Sequence, residues 1–70
     1  MGGNVKAIEA MRYDEVAQVL TVSFRGWGGT RRYFEVPPAE WATLNAVFGK
    51  AAYLQQVLEP RRRNELMQAA

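Results

Sequence analysis

The chain is predicted to be an α+β domain, a three-stranded antiparallel β-meander followed by two short helices packed on one face of the sheet. Three observations carry that prediction. Residues 18–24 alternate, with Leu20, Val22 and Phe24 set against Val19, Thr21 and Ser23, which is the period of a half-buried strand built from β-branched residues. Gly26, Gly28 and Gly29 follow around Trp27 and supply the positive φ angles of a hairpin loop. After Pro37 and Pro38, the residues Trp41, Leu44, Val47 and Phe48 recur at i, i+3, i+6 and i+7, a helical stripe. Neither layer can bury its apolar side alone, so the helices must cover the sheet.

The elements follow in order. Residues 5–13 read as a first strand, or a strand with a bulge, anchored by Ile8, Met11 and Tyr13; a short helix is the competing reading. Residues 14–17 are polar enough for a turn. Residues 18–24 form the second strand. The third, 31–36, puts Arg32, Phe34 and Val36 on one face and Arg31, Tyr33 and Glu35 on the other. Phe34 and Val36 are expected to face the core, leaving Tyr33 on the opposite side. Pro37 and Pro38 end the sheet and suit the first turn of a helix, where a missing N–H costs nothing, and Glu40 complements the helix dipole. Gly49 is placed as a helix stop or hinge. A second helix spans 50–59 with Tyr53, Leu54, Val57 and Leu58 apolar, and Pro60 interrupts it. Beyond Pro60, residues 60–70 read as a flexible basic tail. The stripe from Trp41 to Phe48 and the residues Tyr53, Val57 and Leu58 are expected in the core.

Seventy residues leave room for one domain, 1–70, which buries only about 60% of its unfolded surface. A hydrophobic share of 49% with 11% aromatic residues excludes a disordered chain. No apolar run approaches the roughly 20 residues of a membrane helix, and no signal peptide is evident. Cys and His are both absent. That removes disulfides, thiol nucleophiles, imidazole bases and ordinary zinc sites, and it fits a reducing compartment. A soluble cytoplasmic protein without cofactor or metal is expected.

The residues Ile8, Met11-Arg12-Tyr13-Asp14, Leu20-Thr21-Val22-Ser23-Phe24, Gly28-Gly29 and Arg32-Tyr33-Phe34-Glu35-Val36-Pro37 resemble the KTSC domain. This is a small module found at the C-terminus of some lysyl-tRNA synthetases and alone in bacterial and phage proteins. The resemblance runs over roughly 8–58 and includes Trp41, Leu44 and Tyr53. The family tends to carry Ser-Lys-Gly between its helices, where this chain has Gly49-Lys50-Ala51, and an aromatic near Arg31 that this chain lacks. The resemblance implies the fold, and contact with the translation or transcription machinery without a reaction.

The charges are unevenly placed. Nine bases against seven acids give +2, and the excess lies after residue 59, where Arg61, Arg62 and Arg63 outweigh Glu65. A second cluster, Arg25, Arg31 and Arg32, surrounds the glycine loop. Such patches attract phosphate and equally suit protein interfaces, where Arg and Trp lead the hot spots. Catalysis is not expected: the one serine, Ser23, has no histidine to activate it, and Asp14-Glu15 lies in a turn. The glycine loop lacks the Gly-Lys-Ser/Thr of a P-loop. Trp27 either folds over the sheet or stands as a partner anchor.

The functional expectation is a non-enzymatic adaptor or regulator. It docks on a protein of the gene-expression machinery, RNA polymerase first, through Arg25, Trp27, Arg31, Arg32 and Tyr33. The tail of Arg61, Arg62 and Arg63 adds attraction. Two alternatives stand beside it. One is a tRNA-type RNA-binding accessory domain, with bases stacked on Trp27 and Tyr33; the other is a self-associating structural domain. No membrane and no small-molecule substrate is implied.

Overall fold

A computed structural model describes residues 5–68. Its strands are β1 (Ile8–Asp14), β2 (Val19–Phe24), β3 (Thr30–Tyr33) and β4 (Asn64–Gln68), paired antiparallel in the order β1-β2-β3-β4. Helix α1 spans Pro38–Ala46, α2 Lys50–Tyr53 and α3 Glu59–Arg61; a π-helical stretch, Leu54–Leu58, joins α2 to α3. The architecture is α+β, with one strand more than expected.

Strand β1 explains its own uneven apolar spacing. Ile8 lies opposite Phe24 and Ala10 opposite Ser23, so Glu9 is an extra residue in a bulge. The bulge brings Ile8, Met11 and Tyr13 to one side, against the core. In the following turn Asp14 Oδ1 accepts from the Ala17 N–H at 3.1 Å, a local closure typical of aspartate. The glycine loop is a 3-10 turn, Gly26–Gly28, with Gly26 at φ +63° and Gly29 at φ +75°. The core consists of Leu20, Val22, Phe24, Tyr33, Val36, Leu44, Leu54 and Leu58. Tyr13 and Trp41 stack beside it at a centroid distance of 5.1 Å, and the Tyr13 hydroxyl donates to the Val36 carbonyl at 2.6 Å.

Five expectations are corrected. Tyr33 is buried in the core rather than on the opposite face. It pairs with Leu20 in register and therefore shares the inward side of Leu20. The alternation counted back from Val36 fails because Glu35 adopts φ +56°, a left-handed residue that resets the parity. Val36 still reaches the core, whereas Phe34, expected there too, is only half-buried and lies outside it; β3 ends at Tyr33.

Phe48 is fully exposed. Helix α1 stops at Ala46, and Val47 is extended with its N–H on the Thr43 carbonyl. The seven-residue repeat to Phe48 thus has no helix to run on. Gly49, at φ +84°, makes the expected break between the helices.

Pro60 does not end the helical run. The Glu59 N–H reaches back five residues to the Leu54 carbonyl. This widened turn makes room ahead of a ring that would clash with the carbonyl four residues before it.

The basic segment after Pro60 is built into the sheet. Asn64 Nδ2 donates to the carbonyls of Glu59 (3.0 Å) and Arg62 (2.8 Å), which turns the chain. The Phe34 N–H then donates to the Arg63 carbonyl at 2.8 Å, and 64–68 pairs with β3.

Candidate interaction face

The structure divides the arginines singled out by sequence into two groups. Arg31, Arg61, Arg62 and Arg63 serve the fold. The side chain of Arg31 shares the inward side of β3 with Tyr33; its Nη1 donates to Asn64 Oδ1 at 2.7 Å and its Nε lies 3.9 Å from Glu59 Oε2. Glu40, buried in the first turn of α1, accepts from Arg61 Nη1 at 2.9 Å and from Arg62 Nε at 2.7 Å. The Arg63 guanidinium lies 4.3 Å over the Phe34 ring, a cation–π contact. Tyr33 donates its hydroxyl to Glu59 Oε1 at 3.2 Å. Arg61 and Arg62 are thereby spent on Glu40, and Tyr33 on the core.

Arg25 and Arg32 are differently placed. Arg25 is exposed at the start of the hairpin turn, where its N–H donates to the Ala7 carbonyl at 2.9 Å. The side chain of Trp27 lies outside the described residues. Arg32 pairs with Thr21 on β2, and Thr21 with Arg12 on β1. These three side chains form one cross-strand row on the sheet face turned away from the helices, with strand spacings of about 4.8 Å. Ala10, Ser23 and Thr30 form the neighbouring row. Two shallow depressions of about 400 and 340 Å³ meet on this face, and Arg12, Thr21 and Arg32 line both. Among the described residues no acid pairs with Arg12 or Arg32.

Arg12, Thr21, Ser23 and Thr30 were missed as site residues. The signal was present in the alternation: Arg12 lies between the inward anchors Met11 and Tyr13, so it points out, and Thr21 does so between Leu20 and Val22. Charge clustering along the chain hides Arg12, because its partner Arg32 is twenty residues away.

A model of the KTSC domain family matches residues 5–61. The chain belongs to the KTSC domain family. A protein of Tsukamurella paurometabola is similar to it, 39% identical over 55 residues that make up 79% of this chain and 81% of that protein. The crystal structure of a KTSC domain protein from Yersinia pestis has a similar fold, with a TM-score of 0.80 at 19% identity, covering 97% of this chain and 94% of the other. A share of 97% cannot be reached without residues beyond 61, so the structural likeness extends past the stretch matched by the family model. Among the described residues, no helix of this KTSC domain is long and apolar enough to cross a membrane.

Two phenols of the domain resist ionisation. Burial, then the Glu59 charge and the hydrogen bond to it, raise the Tyr33 hydroxyl well above the ordinary tyrosine range, with Arg31 opposing. Burial, then Glu15 and Asp14, raise Tyr13. A group whose pKa is higher folded than unfolded stabilises the fold below its unfolded pKa, about 10 for tyrosine, and that stability is lost as pH rises further. The melting temperature is therefore expected to fall once pH passes 10, and Tyr33→Phe is expected to flatten the decline. A melting temperature constant from pH 9 to 11 overturns this.

Proposed function

We propose that this KTSC domain is a non-enzymatic interaction module, a small adaptor or regulator that docks on a protein of the gene-expression machinery through the β2–β3 hairpin. RNA polymerase is the first target to test. One observation carries the reading: Arg25 and Gly26 are exposed on a hairpin turn closed by its own backbone. The Phe24 N–H donates to the Gly29 carbonyl at 2.8 Å and the Gly28 N–H to the Arg25 carbonyl at 3.2 Å. A Cβ at Gly28 would lie 2.5 Å from the Phe24 Cβ, so the turn packs as tightly as a glycine allows. A loop ordered before binding loses little entropy on docking.

The burial of Tyr33 favours a protein partner over RNA, because it removes one of the two aromatic platforms on which bases would stack. Ser23 Oγ lies 3.3 Å from Thr30 Oγ1, a hydroxyl pair without a base, which favours binding over catalysis.

The test is affinity capture from bacterial lysate with and without nuclease, using the wild-type chain and Arg25→Glu/Trp27→Ala. The expected result is a captured protein, with RNA polymerase subunits sought first by mass. It is retained after nuclease and lost in the double variant. Capture that vanishes with nuclease, or that survives the double substitution, overturns the reading.

A further inference from the structure

We propose that the sheet face around Arg12, Thr21 and Arg32 is a carboxylate-binding groove that takes an extended acidic segment of the docking partner. The inference rests on the protein-docking reading and names the chemistry such a partner presents.

Four of the seven arginines are occupied inside the fold, by Glu59, Glu40 and the Phe34 ring. Among the described residues Arg12 and Arg32 form no ion pair within 4.0 Å, and they flank a single threonine on one face. Two guanidinium groups two strand spacings apart repel each other only weakly, and an anion between them is attracted by both. Two acids border the row without pairing to it. Asp14 lines the smaller depression with Arg12 and Arg32, its Oδ1 accepting from the Ala17 N–H at 3.1 Å, and Glu65, in register with Arg32 on β4, forms no ion pair with it within 4.0 Å among the described residues; the groove therefore admits the acidic segment on the side away from Asp14.

The inventory of groups selects the ligand. Each guanidinium offers donors only, in a fork that fits a carboxylate in bidentate fashion, and the Thr21 hydroxyl between them can donate as well. The floor is short: Ala10, Thr21, Ser23 and Thr30 leave depth without an aromatic ring for a base to stack on. Met67 supplies an apolar wall at the rim. Arg12 and Arg32 are two strand spacings apart, about 10 Å at the backbone. In an extended segment, alternate side chains project to one side about 7 Å apart, so the two long arginine stems can meet acids at positions i and i+2.

The experiment is a ¹⁵N–¹H NMR titration of the full chain at low salt with a blocked peptide of alternating aspartate and alanine. Parallel arms use the same peptide with asparagine, inorganic phosphate, and a deoxythymidine oligonucleotide. The expected result is a set of shifts confined to Arg12, Thr21, Ser23 and Arg32, with affinity at least tenfold weaker in Arg12→Gln/Arg32→Gln and unchanged in Lys50→Gln. The same spectra report that each variant is folded. An equal response to the asparagine peptide, tighter binding of the oligonucleotide or of phosphate, or shifts that persist in the double variant overturn the proposal. The peptide arm uses no partner protein, so a blank titration beside nuclease-resistant capture rejects the groove and leaves the docking reading standing. The reverse pair of results rejects docking through the hairpin.

Discussion

Leu54→Ala is expected to leave the domain largely unfolded at room temperature, whereas Phe48→Ala is expected to change almost nothing. Leu54 is completely buried in the π-helical stretch, among the residues that join the helices to the sheet. Truncating a buried leucine costs about 2–5 kcal/mol through lost transfer energy and the cavity left behind. A single core in a chain of this size supplies about 3–5 kcal/mol in total, so one such change exhausts it. Phe48 touches nothing inward, and its removal stays within about 0.5 kcal/mol. Urea denaturation followed by circular dichroism distinguishes the two. A cooperative Leu54→Ala transition at the wild-type midpoint refutes the core assignment. A loss above 1 kcal/mol for Phe48→Ala refutes its placement in solvent.

The second large effect lies at Glu40. Its side chain is 6% exposed and is held by two arginines whose side chains are 55% and 27% exposed. Breaking a buried pair by removing one partner costs about 3–5 kcal/mol when the other charge is trapped. Here the arginines recover part of their hydration, so Glu40→Ala is expected at the low end, about 3 kcal/mol. Glu40→Gln keeps an acceptor and the volume, and is expected to cost less. A double-mutant cycle with Arg62→Ala should return a coupling above about 1 kcal/mol, little changed by salt because the carboxylate is shielded from it. A coupling near zero would reduce the triad to an ordinary surface pair, worth about 0–1 kcal/mol.

Where local chemistry decides the structure, the residues announce it. The alternation of β2, the glycine turn, the proline entry to α1 and the break at Gly49 all follow from side-chain period and φ preference. Even the irregular spacing of Ile8, Met11 and Tyr13 encodes the bulge at Glu9. Tertiary context decides the remainder. Nothing in a glutamate at position 35 advertises a left-handed φ, so the inward face of β3 is lost to a parity count. Nothing in Arg61, Arg62 and Arg63 reveals that a buried Glu40 and the Phe34 ring await them. The segment after Pro60 reads as a solvated tail for that reason.

The candidate site follows the same division. Arg25 and Arg32 are legible because they border a turn that is itself legible. Arg12 is legible only after strands are paired, since charge density along the chain says nothing about charge density across a sheet.

The pairing of β4 with β3 sets an order of assembly. The first two hairpins each close a short turn, but the third pairing must close the entire stretch 34–63, helices α1 to α3 included. By loop-closure entropy that step carries about 2 kcal/mol more cost than a tight turn. The nascent meander of β1, β2 and β3 can form early. By that cost β4 is expected to pair after the helices have docked, when Glu40 is in place to receive Arg61 and Arg62. Arg61 and Arg62 thus act as a latch, fastening the approach to β4 onto the beginning of α1.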